Sequence, residues 1–388
     1  MAQKISRRDF LKITGLGATS LFLVSCGVSP TDTNPVADET PALILRSGFE
    51  ADLTMYNVND NILGLQGIDR SVSAPNDWAQ ASGDPNIGDF YFQLASPGTT
   101  ADRSAFLTTD PVNPNNQVLA FQIKNATESG PPLKGRVSCN IGKNNNLHEI
   151  YYKVKLFLPA DIGYLTDYTF PSGNWLNLME LWNSPDWTTP APYPFRISLY
   201  VINSPDKQSL NFGVEAQSMD PNNWKRIWAA ANTNFNLPFN EWLEMEVYYK
   251  EGNNSTGRFY MTATQTNGQK TVLFDVTNFT HHPENPSPTG LKFVNPMKLY
   301  CSKEIIDWIS THQPQNGSLQ IYWDDFEFWK NKNPFIGLNG FVCNCDAVFA
   351  VCTPYKKCSS SIVSRNIYAI WLCRYIKTAF WEIPTCLP

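Results

Sequence analysis

From Ala42 to Lys330 the chain alternates apolar and polar residues in short runs, and clusters of Gly, Pro, Asn and Asp separate those runs. A period of two gives each run one apolar face, which predicts half-buried β-strands rather than helices. Glu149–Leu158 sets Ile150, Tyr152, Val154 and Leu156 against Glu149, Tyr151, Lys153 and Lys155. Trp242–Lys250 sets Leu243, Met245 and Val247 against Glu244, Glu246 and Tyr248. Phe195–Ile202, Leu210–Glu215, Arg258–Gln265 and Leu319–Phe328 read the same way. Thr266-Asn267-Gly268-Gln269 and Glu251-Gly252-Asn253-Asn254 have the composition of hairpin turns. The pattern predicts an all-β sandwich over residues 43–330.

Composition narrows the function. Aromatic residues make up 13% of the 388, including 12 Trp and 16 Tyr, against 17% charged residues. That balance suits a sheet protein whose rings stack on flat ligands. The net charge of −5 excludes a typical nucleic-acid binder, which needs a basic surface. The charge is also uneven. Residues 1–25 carry Lys4, Arg7, Arg8 and Lys12 against Asp9, and 332–388 carry six basic residues against Asp346 and Glu382, so the body between them holds −12. An acidic body repels polyanions at long range unless a local basic cleft overcomes it.

The two ends of the chain differ from the body. Ser6-Arg7-Arg8-Asp9-Phe10-Leu11-Lys12, followed by the apolar stretch Ile13–Val24, resembles a twin-arginine export signal over residues 1–25. The stretch is shorter than the roughly 20 apolar residues of a membrane span. Leu23-Val24-Ser25-Cys26 resembles a lipobox, which implies a diacylglyceryl thioether on Cys26 and a flexible polar tether over 26–42. The resemblance implies a cell-envelope protein of the outer membrane, held to the membrane by its lipid anchor, with Cys139 and Cys301 reduced. Six of the nine Cys fall after Phe341, at spacings that do not make zinc knuckles. Residues 331–388 therefore read as an extension outside the sandwich, functionless or mis-framed, with a disulfide-bonded appendage as the alternative.

The order of the body segments resembles the concanavalin A-like jelly roll, in its polysaccharide-lyase branch of heparin lyase I, glucuronan lyase and alginate lyase. The residues that carry the likeness are the entry segment Leu45–Glu50, the exit segment Ile321–Phe328, His148-Glu149 with Leu158-Pro159, Trp175–Asn183, and Trp242–Lys250 with Gly257-Arg258. Such a fold implies a polysaccharide lying across one sheet, with rings stacking on sugars and amides fixing hydroxyls. Trp182, Asn177 and Tyr200 are the substrate-binding candidates.

β-Elimination needs a group to neutralise the uronate carboxylate, a base for the C5 proton and an acid for the leaving O4. Tyr300 is the candidate for proton transfer, Arg196 and Lys298 for neutralisation, and Glu180 and His148 are further catalytic candidates. Alternation places Arg196 with Tyr200 and Lys298 with Tyr300, and it places Glu180 with Leu176, Leu178 and Trp182. Where related lyases carry Gln-x-His, this chain reads Glu180-Leu181-Trp182. A non-catalytic glycan-binding protein of the same fold is thus the alternative. The E-x-D-x-x-E strand of laminarinase-type glycosidases and the G-x-S-x-G of serine hydrolases are absent. No cofactor is required by this chemistry. Glu50 and Asp325, joined if the termini pair, are candidates for a structural calcium.

Overall fold

The computed structural model describes residues 40–335 apart from 51, 74–76, 81–82, 131–132, 171–174, 185–191, 221–222 and 314–316. Cys26, the leader and the Cys-rich segment from 336 onward lie outside the described residues. The chain divides into Met1–Thr40 and Pro41–Pro388, and the second unit holds every described strand.

The strands in chain order begin with β1 Ala42–Ser47, β2 Thr54–Asn59, β3 Ile62–Gln66, β4 Asp89–Leu94, β5 Arg103–Thr109 and β6 Gln117–Ile123. They continue with β7 Lys134–Gly142, β8 Glu149–Phe157, β9 Leu176–Trp182, β10 Phe195–Asn203, β11 Leu210–Asp220 and β12 Asn223–Asn232. The last are β13 Trp242–Lys250, β14 Arg258–Thr264, β15 Lys270–Thr277, β16 Phe293–Ser302 and β17 Leu319–Lys330. Among the described residues they form two antiparallel sheets. One has eight strands, ordered β15-β14-β13-β8-β17-β6-β5 with β1 also on β17, and the other has nine, ordered β12-β11-β10-β9-β16-β7-β4-β3-β2. The first and last strands pair, Ala42 opposite Lys330 and Arg46 opposite Glu327. This is the β-sandwich that the alternation predicts, with the jelly-roll class that the resemblance implies.

The core lies between the sheets. Ile150, Tyr152, Val154 and Leu156 of β8 and Leu243, Met245 and Val247 of β13 are buried from one side. Val137, Cys139 and Ile141 of β7 and Ile197, Leu199 and Val201 of β10 are buried from the other. Each fully buried aliphatic side chain contributes about 1.5–3 kcal/mol. A one-residue slip would turn a whole row outward, so the register is strongly fixed. Burial pushes the free thiols of Cys139 and Cys301 up, which keeps them unreactive.

The alternation misplaces one strand. In β9, Leu199 pairs with Met179 but Tyr200 pairs with Asn177, so Leu178 has no opposite residue. This bulge sends both Leu178 and Met179 into the core, together with Leu176 and Leu181. Asn177, rather than Leu176 and Leu178, therefore shares a face with Glu180 and Trp182. A short helix, α1 Lys303–His312, follows β16 and buries Ile305, Ile306 and Ile309.

Candidate functional site

The outer side of the nine-stranded sheet carries a cleft of about 610 Å³, lined in part by Trp175, Asn177, Arg196, Tyr200, Trp224 and Tyr300. One cross-strand row supplies its middle. Tyr300 of β16 is opposite Asn177 of β9, Asn177 is opposite Tyr200 of β10, and Tyr200 is opposite Gly213 of β11. A Cβ on Gly213 would stand 2.7 Å from the Tyr200 ring, so the glycine lets that ring lie across the sheet. Tyr300 packs edge-on against Trp175, with centroids 5.5 Å apart.

Arg196 is held on several sides. Its Nε donates to Gln217 Oε1 at 2.7 Å, and its guanidinium sits 4.3 Å from the Trp224 ring centroid and 5.3 Å from that of Trp182. Stacking of this kind favours guanidinium over ammonium and fixes its plane. The cleft lining carries Lys134, Arg196 and Arg226 against the single carboxylate of Glu215. Arg226 and Glu215 pair at 2.9 Å. The cleft is thus locally basic within an acidic body, the condition an anionic ligand requires.

One layer below the lining is a buried hub. Glu180 and Lys298 are each 1% exposed, and Lys298 Nζ donates to Glu180 Oε2. The same carboxylate accepts from Asn177 Nδ2 at 3.0 Å and Trp182 Nε1 at 2.9 Å, and it lies 3.9 Å from Arg196 Nη1. Burial alone would raise Glu180, but Lys298 and Arg196, with the N–H donors, outweigh it and hold the carboxyl low, at about 2. Burial pushes the Lys298 ammonium down, and Glu180 offsets only part of this because Arg136 and Arg196 repel it. Tyr300 moves the other way. Burial first, then Glu128 and Glu180, raise its phenol above the ordinary tyrosine value. It stays protonated through the neutral range.

The structure therefore brings Arg196, Asn177, Tyr200 and Tyr300 together on one face of one sheet. Lys298 and Glu180 lie beneath that face, engaged with each other, and are not among the lining residues. Trp182 is 5% exposed, with Trp224 edge-on at 5.5 Å and Arg196 over its ring, so the open stacking surfaces are other rings. His148 stands apart, before β8, with Nδ1 2.5 Å from Glu251 Oε2, and it does not line the cleft. Trp175 opens the Trp175–Asn183 segment singled out in the sequence, whereas Trp224 and Arg226 are not, although Trp224-Lys225-Arg226 alternates as the face residues of a strand should.

The calcium candidates also fall elsewhere, Glu50 after β1 and Asp325 within β17. Asp325 Oδ2 pairs with Lys155 Nζ at 2.6 Å, and Glu50 Oε2 accepts from the Gln117 N–H at 3.3 Å. Among the described residues no group of three or more acidic, His or Cys side chains is placed to hold a metal ion.

No protein-family model matches the chain, and no curated protein matches it. Among solved structures it is similar to an endo-β-1,4-glucuronan lyase from the fungus Trichoderma reesei, at 10% identity and a TM-score of 0.37, over 61% of this chain and 89% of that one. It is similar to the alginate lyase Aly36B at 11% identity and a TM-score of 0.37, over 73% and 95%. A third is the PL-14 alginate lyase from Aplysia kurodai, at 8% and 0.34, over 57% and 86%. The functional reading rests on the cleft's own residues.

Proposed function

We propose that the cleft binds an acidic, uronate-containing polysaccharide and cleaves it by β-elimination, in a protein anchored at the cell envelope through Cys26. One observation carries the reading: a pre-oriented guanidinium, Arg196, shares a cleft with a protonated phenol, Tyr300, and with aromatic rings. A guanidinium takes a carboxylate through two parallel hydrogen bonds. Neutralising the uronate acidifies the C5 proton. When hydroxide from solvent removes that proton as water, the electron pair forms the C4–C5 double bond and the C4–O4 bond breaks. The Tyr300 hydroxyl then delivers its proton to the departing O4 and regains one from solvent. Glu180 and Lys298 act as positioning residues under Arg196 and Asn177.

The second reading, a non-catalytic binder of the same glycan, is favoured by the absence of any imidazole among the described lining residues. Ultraviolet absorbance of the new double bond separates the two. Elimination predicts a rise with wild type on a polyuronate panel, and a loss of roughly 10²–10⁴ in rate for Tyr300→Phe with binding retained. Binding that depends on Arg196 with no rise in absorbance would establish the binder instead.

A further inference from the structure

The arrangement of Tyr200 over Gly213 recurs at the far edge of the same sheet. Tyr56 of β2 is the cross-strand partner of Gly64 of β3. A Cβ on Gly64 would stand 2.2 Å from Tyr56 Cζ, so the ring lies across the neighbouring strand. Leu63 and Leu65 point into the core. The register continues from Leu63 to Phe92, from Phe92 to Cys139 and from Cys139 to Met297, all core residues. Gly64 and Tyr56 thus lie on the opposite side, the side that carries Lys298 and Tyr300. The β2 strand is four strand spacings from β16, about 19 Å.

A ring over an edge glycine can serve the sheet alone. Two features of β2 exceed that role. Tyr56 remains 41% exposed, and Val58 on the same strand is 55% exposed. The strand, Thr-Met-Tyr-Asn-Val-Asn, also has no charge and no proline, two of the devices that protect an edge, and its bulge between Asn57 and Asn59 lies beyond Tyr56. An exposed ring held flat across a sheet is a ready stacking surface. Its position on the cleft's own face identifies the occupant as the chain that fills the cleft. We infer that Tyr56 is a distal stacking site for the same polysaccharide, several sugar rings from Arg196, and that it gives the protein a preference for long chains. This rests on the reading of the cleft as a polysaccharide site.

The test is equilibrium binding of the full chain, in the Tyr300→Phe background that leaves the ligand intact, to polymeric alginate and to short oligomers of it. Tyr56→Ala should weaken polymer binding roughly threefold to tenfold, the range for one aromatic contact, and leave oligomer binding unchanged. Tyr56→Phe should bind as the parent does. Gly64→Ala, whose methyl displaces the ring, should reproduce the loss and serves should Tyr56→Ala not fold. Unchanged polymer affinity in Tyr56→Ala or Gly64→Ala, with both ligands weakened by Arg196→Ala, would overturn the distal site alone. Parent protein that binds neither ligand would overturn the cleft reading, and the distal site with it.

Discussion

Glu180 shows how a charge can be held inside a sheet. Its carboxylate meets Lys298, Asn177 and Trp182 directly and Arg196 at longer range, so its lone pairs are used and its charge is balanced. Glu180→Gln leaves the Lys298 ammonium buried without its anion, a cost of about 3–5 kcal/mol. Folding holds this carboxyl at about 2, below its ordinary value. The stability it supplies is therefore complete above about pH 4.3 and lost as pH falls toward 2. Denaturant unfolding should show the gap between wild type and Glu180→Gln wide at neutral pH and narrowing in acid. A gap independent of pH would contradict the assignment. Sequence alternation correctly pairs Arg196 with Tyr200 and Lys298 with Tyr300. It does not reveal depth, because whether a face residue is open depends on what lies over it. Lys298 is covered by Tyr300, two residues on, while Trp182 is covered by Arg196 and Trp224, which are distant in sequence.

At the scale of elements, β8, β10, β13, β14 and β17 are legible because each has one core face and one wet face. The β9 strand is not, since a single extra residue at Leu178 reverses its parity midway, and the adjacent apolar Leu178 and Met179 leave no mark of it. Helix α1 is equally hidden. Its Ile305, Ile306 and Ile309 are too few to establish a helical period. The segment after β17 adds a feature that alternation cannot show. Phe335 packs edge-on against Tyr260 at 4.7 Å and Tyr248 at 5.7 Å, with Arg258 over its ring, and Lys332 lies over Tyr151 and Trp329. These contacts clasp the outer face of the eight-stranded sheet. Truncation after Asn331 should lower stability by about 1–3 kcal/mol relative to truncation after Phe335. Equal thermal midpoints for the two truncations would show that the clasp contributes nothing.

For the whole molecule, the two outer faces have opposite character. That of the eight-stranded sheet is closed by its own ion pairs, among them Arg46–Glu327, Lys153–Glu244, Lys270–Glu246 and Lys155–Asp325. That of the nine-stranded sheet leaves Arg196 in contact with a single buried carboxylate, Glu180 at 3.9 Å, and surrounds it with rings. The lipobox reading adds an anchor. Cys26→Ala should move the protein from the membrane fraction to the soluble fraction, since several acyl chains hold a protein stably and none would remain. Sedimentation with membranes after that substitution would count against lipidation. The central claim, that the cleft holds an acidic glycan by its carboxylates, is tested most directly by calorimetric titration with a polyuronate and with its carboxyl-reduced counterpart. The account predicts binding of the polyuronate alone, weakened roughly tenfold to a hundredfold by Arg196→Ala. Equal affinity for the two polymers, or a polyuronate affinity indifferent to Arg196, would contradict it.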